Sequence, residues 1–92
     1  MKAIKLQQIN GISTVDIIKT VTENPQTGAL LPEIRSRNRV LRALEKNAST
    51  DELRLEDADH QTLVNALNAF RFGRASTDLE TIADDIIGAA SV

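Results

Sequence analysis

The chain of 92 residues contains no cysteine and only two aromatic residues, both phenylalanine. The absence of cysteine excludes disulfide bonds, thiolate metal sites and a cysteine nucleophile. Because base-stacking surfaces depend on aromatic rings, their scarcity argues against a platform for single-stranded nucleic acid. The core of the fold must therefore consist mainly of aliphatic side chains.

Long apolar runs and catalytic motifs are also lacking. No apolar run approaches the roughly 18–20 residues of a membrane span, and the start MKAIKLQQ lacks the apolar region of a signal peptide. The chain has one histidine and no Walker-type loop, G-x-S-x-G or G-x-G-x-x-G motif, so the usual nucleophilic and phosphate-binding arrangements are missing. We therefore expect a non-enzymatic cytoplasmic protein with no cofactor, no metal and no membrane contact.

The net charge of −2 is the sum of two halves of opposite sign. Residues 1–46 hold eight basic and four acidic residues, a net charge of +4. Residues 47–92 hold three basic and nine acidic residues, a net charge of −6. The two halves therefore attract each other, either within one fold or between copies of the chain.

The N-terminal segment predicts a β-hairpin over residues 2–22. Asn10-Gly11 lies between Ile9 and Ile12, and these residue types tolerate the positive φ of a two-residue type I′ turn. Such a turn places apolar residues opposite each other: Ile9 and Ile12, Leu6 and Val15, Ile4 and Ile17. Pairing of this kind stabilises a hairpin.

A helix is the alternative structure for residues 13–23. Ser13 would be its N-cap, with Asp16 three positions later, and the helix would run through Glu23. However, seven of the nine residues from 14 to 22 are β-branched, and β-branched side chains favour strands. We therefore favour the hairpin.

A second segment predicts a helix over residues 32–47. Pro32 suits the first turn because its missing N–H costs nothing there, and Glu33 complements the helix dipole. Four basic residues share one side of this helix, called the basic face below: Arg35, Arg39, Arg42 and Lys46. Apolar residues lie on the opposite side: Ile34, Val40, Leu41 and Leu44. Arg37 falls among them, so its charge must reach solvent, pair with Glu33 or meet an acid on a neighbouring element.

The stretch LRLEDADHQTLVNALNAFRF, after a polar connection at residues 48–51, is expected to supply the centre of the core. Leu53 and Leu55 alternate with charged residues as a brief strand that can extend the hairpin. A central helix follows over residues 57–72 and ends at Gly73. Its apolar stripe has helical spacing: His60, Leu63, Val64, Ala66, Leu67 and Phe70. Three acids lie at its start, where carboxylates can cap free N–H groups: Glu56, Asp57 and Asp59.

A last helix is predicted over residues 77–89. Thr77 and Glu80 have the spacing of a capping box, and the small residues 89–92 are expected to fray. Apolar residues recur with helical spacing: Leu79, Ile82, Ala83, Ile86 and Ala90. We expect Leu63, Leu67 and Phe70 to be nearly inaccessible, with Ile82 and Ile86 of the last helix packed against them.

These elements predict an α+β fold in which residues 1–92 form a single domain. An N-terminal β-hairpin, with a short third strand as an option, packs against three α-helices. A chain of this length is large enough for one core.

One cluster of acids with an imidazole invites a metal or acid–base interpretation: Glu56, Asp57, Asp59 and His60. The acids lie where helix capping is expected, and a single histidine on an apolar face is more often a packed core residue. We therefore interpret the cluster as structural. A weaker candidate is an anion site formed by Arg71 and Arg74 at the start of the last helix.

The basic face has three interpretations. It could be a solvated helix face, a contact for another protein, or a contact for phosphates. Proteins that bind duplexes usually carry a clearly basic domain, whereas this chain has a pI of about 5.3. Nucleic acid is therefore the least favoured of the three.

The order of segments resembles small virion-morphogenesis proteins of tailed bacteriophages and prophages, including the tail assembly chaperones. The resemblance is carried by the N-terminal hairpin, TENPQTGALLPEIRSRNRVLRALEK, LRLEDADHQTLVNALNAFRFG and the short acidic last helix. It implies a viral protein that acts through protein contacts in the bacterial host cytoplasm or in association with a virion. It implies no catalytic or ligand-binding residue.

The leading hypothesis is a non-enzymatic assembly or adaptor protein that binds other copies of itself or a viral partner. In this hypothesis the basic face of one copy meets acids of the last helix of the next: Asp78, Glu80, Asp84 and Asp85. Contacts between unlike surfaces close into rings or continue as filaments. The alternative is a small phage-encoded modulator that binds a host protein or nucleic acid through residues 35–46.

Overall fold

The computed structural model of the protein describes residues 1–47 and 49–92. Ala48, the first residue of the predicted polar connection, lies outside them. The described residues form an α+β fold, as the sequence predicts. Its strands are β1 (Lys2–Lys5), β2 (Gln8–Ile9), β3 (Ile12–Ser13), β4 (Glu52–Leu55) and β5 (Ala90–Ser91). Its helices are α1 (Thr14–Glu23), α2 (Leu31–Asn47), α3 (Asp57–Ala69) and α4 (Thr77–Ile87).

The turn at Asn10-Gly11 is present, but the predicted hairpin over residues 2–22 is wrong beyond it. Asn10 and Gly11 have φ values of 50° and 83°, and Ile9 pairs with Ile12 as predicted. The β2–β3 ladder contains only two residue pairs, because α1 follows at once. Two predicted pairs are therefore not formed: Leu6 with Val15, and Ile4 with Ile17.

Helix α1 begins where the alternative interpretation placed it. The Ser13 hydroxyl accepts a hydrogen bond from the Asp16 main-chain N–H at 3.4 Å. The buried side chains of α1 have helical spacing: Thr14, Ile18, Val21 and Thr22. This face packs against α2 and α3. β-branched residues are less favourable in a helix than the best helix formers by less than about 1 kcal/mol each. The burial of this face outweighs that difference.

Strand β1 is the centre of a three-stranded antiparallel sheet in the order β4-β1-β5. Leu53 of β4 lies opposite Ile4 of β1, and both side chains are fully buried. The predicted brief strand at Leu53 and Leu55 therefore exists and pairs with the N-terminal segment. It pairs with β1 directly, whereas residues 14–22 belong to α1.

The last residues form the other edge of this sheet. Ala90 of β5 lies opposite Ala3 of β1, and the Val92 N–H donates a hydrogen bond to the Met1 carbonyl at 2.9 Å. The expectation that residues 89–92 fray is therefore wrong, because their main chain is held by strand pairing. Ala90 belongs to β5 and not to the last helix.

The three longer helices match their predictions except at some ends. α2 starts with Leu31, which places Pro32 in the first turn. α3 ends at Ala69 and not at residue 72, because Phe70 is extended with φ −76° and ψ 135°. α4 ends at Ile87 and is capped by Ser76, whose hydroxyl accepts from the Leu79 N–H at 3.3 Å. The predicted cap at Thr77 is therefore one residue too late.

The core draws side chains from β1, β4 and all four helices. Leu63, Ile82 and Ile86 are fully buried and Leu67 is 4% exposed, as predicted. Phe70 is an exception because it is only half-buried. Its ring packs edge-to-face on Phe72 with a centroid distance of 4.8 Å.

None of the helices in the described part of the chain is both long enough and apolar enough to cross a membrane.

Candidate interaction surfaces

The basic face lies on the solvent side of α2. Val40 and Leu44 are buried on the opposite side and fix the orientation of the helix. All four basic side chains are consequently exposed: Arg35, Arg39, Arg42 and Lys46. Arg39 Nε lies 3.0 Å from Asp59 Oδ1. In the described part of the chain, the other three form no ion pair.

The acids of α4 form a second charged surface, called the acidic face below: Asp78, Glu80, Asp84 and Asp85. Asp78 is half-buried and the other three are exposed. Asp78 accepts a hydrogen bond from the Asn10 side chain at 3.0 Å, and Asp85 accepts one from Gln7 at 2.7 Å. Within the described residues, the carboxylates of Glu80 and Asp84 have no such partner.

The basic and acidic faces do not neutralise each other within one molecule. α2 packs on α1, α3 and β4, whereas α4 packs on β1 and α3. Among residues 1–47 and 49–92, the pair of Arg39 with Asp59 is the one ion pair between α2 and the acidic second half of the chain. Two oppositely charged surfaces are therefore left for contacts outside the molecule.

Arg37 is the basic residue of α2 that lies among apolar neighbours. Its Nε lies 3.0 Å from Glu33 Oε2, so the i, i+4 pair, one of the three alternatives that the sequence left open, is formed. Its Nη1 also donates hydrogen bonds to the carbonyls of Val21 and Thr22, at 3.0 and 3.1 Å. With a side chain that is 12% exposed, Arg37 joins α2 to the end of α1 and is not part of the basic face.

The cluster of acids around His60 is divided among separate partners. His60 is 7% exposed, and its Nε2 lies 2.8 Å from the Ile86 carbonyl, so Nε2–H donates to the end of α4. Asp57 pairs with the N-terminal ammonium at 3.3 Å, while Asp59 pairs with Arg39. Glu56 is the N-cap residue of α3, but the prediction that its carboxylate caps the helix is wrong, because it makes no cap hydrogen bond.

The two arginines proposed as an anion site line different cavities. Arg74 lines a small cavity with Ser76 and Leu79 at the start of α4. Arg71 lines a groove of about 500 Å³ between residues 25–28, α2 and α3. The structure therefore does not bring both guanidinium groups to one pocket at the start of α4.

An apolar patch at the start of α2 was missed by the sequence analysis. Leu30, Leu31 and Ile34 are 81%, 56% and 41% exposed. Ile34 was expected with the apolar side of the helix, but that side is buried only from Val40 onward. The signal that could have found the patch is its position beside Pro32, in a first turn that precedes the packed part of the helix.

Comparison of the chain with known protein families, characterised proteins and solved structures finds no match. The function must therefore be argued from the surfaces themselves. The most distinctive of these are the two charged faces.

Proposed function

We propose that this protein is a non-enzymatic assembly or adaptor protein that associates with copies of itself through its basic and acidic faces. The observation that carries the proposal is that no ion pair joins these two faces among the described residues, since they lie on different helices. Arg35, Arg42 and Lys46 are exposed on α2, and Glu80 and Asp84 are exposed on α4. Each molecule can therefore give its basic face to one neighbour and its acidic face to another.

A contact of this kind is heterologous, because two different surfaces meet. Repeating it gives a ring when the rotation between copies closes, and an open filament when it does not. Exposed ion pairs contribute only about 0–1 kcal/mol each, so several pairs must form together. The basic residues recur every three or four positions along α2, which presents them together on one side.

Salt dependence follows from the exposure of these charges. At about 0.01 M salt the Debye length is about 30 Å, whereas at 1 M it is about 3 Å. We therefore expect oligomers joined through these faces at low salt, and we expect this contact to dissociate at high salt. Multi-angle light scattering over a range of protein concentrations measures both states.

Charge reversal tests which residues make the contact. Arg35→Glu with Arg42→Glu should abolish the oligomers that are joined through the charged faces, and it leaves the Arg39–Asp59 pair intact. Adding Glu80→Lys with Asp84→Lys to that variant should partly restore the oligomer, because the signs on both surfaces are then exchanged.

A matched control is the double variant Lys19→Glu with Arg71→Glu. Both residues are exposed and lie outside the basic face, on α1 and after α3, and the change in net charge equals that of the α2 variant. The control should still oligomerise. If the wild-type protein stays monomeric at high concentration and low salt, the proposal is wrong.

Nucleic acid is the competing ligand for the basic face. For duplex DNA, the logarithm of the binding constant would fall by about 0.9 per phosphate contacted for each tenfold rise in salt concentration. Fluorescence anisotropy with a labelled duplex tests this competitor, and binding with that salt dependence would favour nucleic acid over self-association. We further propose that the assembly serves virion morphogenesis, which rests on the resemblance in segment order alone.

A further inference from the structure

Strand β4 is one edge of the three-stranded sheet, and its hydrogen-bonding direction can be derived from its register. The Leu6 N–H donates to the Asp51 carbonyl at 2.8 Å, one step beyond the paired residues of β1 and β4. Hydrogen-bonded pairs in an antiparallel ladder recur at every second residue. Leu53 and Leu55 therefore direct their main-chain groups toward β1, whereas Glu52 and Arg54 direct theirs away from it.

The outward main-chain groups of β4 are available for a further strand. In the described chain, the N–H groups of Glu52 and Arg54 and the carbonyl of Arg54 make no hydrogen bond. The Glu52 carbonyl accepts a hydrogen bond from the Thr50 hydroxyl at 2.8 Å, and its second lone pair can accept another. An edge of this kind is a template for pairing with another strand.

We infer that the occupant of this edge is β4 of a second copy, paired antiparallel about a two-fold axis that passes between the two Leu53 residues. In this register Glu52 of each copy lies opposite Arg54 of the other. Both outward residues then form hydrogen-bonded pairs, which satisfies the outward main-chain N–H and C=O groups of Glu52 and Arg54. The two three-stranded sheets become one sheet of six strands.

The side-chain charges favour this register over its neighbours. Sliding the second strand by two residues in one direction places Glu52 opposite Glu52, and sliding it in the other direction places Arg54 opposite Arg54. Like charges directly opposite each other are destabilising, and opposite charges are favourable. The sequence Glu-Leu-Arg-Leu is therefore complementary to itself in one register only.

Neither face of the joined six-stranded sheet opposes the pairing of the two β4 strands. Leu53 and Leu55 are buried against the helices of their own copy, so pairing exposes no core. Glu52 and Arg54 share the outer face, where their side chains are 46% and 59% exposed and lie 2.8 Å apart. In the dimer these two charges and their symmetry mates form one alternating cluster.

The inference uses a surface distinct from the basic and acidic faces, so it does not depend on the proposed function. An edge of four residues buries less than the roughly 1,200 Å² of a standard interface, which places the dimer in the weak, transient class. The experiments therefore use high protein concentration.

Cysteine cross-linking tests the register directly, because the native chain has no cysteine. Residues in a hydrogen-bonded antiparallel pair have Cα atoms about 5.5 Å apart, which a disulfide can bridge. A mixture of the Glu52→Cys and Arg54→Cys variants should form a disulfide-linked dimer under mild oxidation, faster than either variant alone. Equal rates for the mixture and the separate variants would overturn the register.

A charge exchange provides the second test. Glu52→Lys should weaken the dimer about tenfold, since it converts both symmetry-related pairs from attraction to repulsion. The exchange of Glu52→Arg with Arg54→Glu should restore it, because opposite charges again face each other. Glu23→Lys, at an exposed acid of α1, is the control with the same change in net charge. Sedimentation equilibrium measures the dissociation constants, and one that is unchanged in Glu52→Lys would overturn the inference.

Discussion

Gly11 occupies a backbone conformation that few residues tolerate, with φ of 83° next to Asn10 at 50°. A β-branched side chain resists positive φ, and the left-handed region costs an ordinary residue about 1–2 kcal/mol. We expect Gly11→Val to lower the free energy of unfolding by at least that amount. Urea denaturation followed by circular dichroism measures the change.

Gly73 supplies the control for this prediction. Neither glycine has an atom within 4 Å of the position that a Cβ would take, but Gly73 does not have a left-handed φ. Gly73→Val should therefore change the stability little. Equal losses in both variants would show that the backbone conformation at Gly11 is not the cause.

Single residues also show how far the sequence could be interpreted. Asn10-Gly11 predicted its turn correctly because a type I′ turn depends on two local φ values and on little else. Phe70 was placed in the core by helical spacing, but α3 ends before it. Spacing predicts a buried face only while the helix continues, and the residue type that indicated its end, Gly73, lies four positions after Ala69.

Arg37 connects two elements, since its guanidinium from α2 reaches the last carbonyls of α1. The last turn of α1 contains no basic residue of its own, so Arg37 supplies the positive charge that favours a helix C-terminus. Arg37→Met keeps the length of the side chain and removes the donors. We expect it to lower the free energy of unfolding by about 1–3 kcal/mol, as measured by thermal denaturation.

Arg35→Met is the comparison for Arg37→Met, because Arg35 is exposed on the same helix and makes no ion pair among the described residues. An exposed change of this kind is usually within about 0.5 kcal/mol. If both variants lose the same stability, the bonds of Arg37 to α1 contribute nothing of their own.

At the scale of elements, the correct and incorrect predictions have a common cause. Local signals identified α2, α3, α4 and the brief strand β4, because amphipathic spacing and caps depend on near neighbours. The segment 14–22 carried two local signals, β-branching and the Ser13 cap, and only packing of its buried face against α2 and α3 decides between them. β5 has no local signal, because two residues become a strand only when β1 lies beside them.

The whole molecule carries two proposed contacts, which predict different assemblies. Arg35→Glu with Arg42→Glu should leave dimers joined at β4, whereas Glu52→Lys should leave chains or rings joined through the charged faces. Combining the three substitutions should give monomers. Sedimentation velocity at low salt separates these species, and complete dissociation by either set alone would show that the contacts are not independent.

The two contacts were not equally accessible to sequence analysis. The basic and acidic faces follow from helical spacing and from counting charges in each half of the chain. The β4 edge does not, because knowing that Glu52 and Arg54 face outward requires the register of β4 against β1. That register is a contact between segments about fifty residues apart, and no local pattern encodes it.

The central position of β1 has a consequence for the order of events during synthesis. β1 leaves the ribosome first among the elements, but its partner β5 leaves last, with Lys2 and Ser91 separated by 89 residues. At about 5–20 residues per second, this separation corresponds to roughly 4–18 s of translation. In the nascent chain, the edge of β1 that pairs with β5 therefore stays open for that whole interval, and β5 completes the sheet.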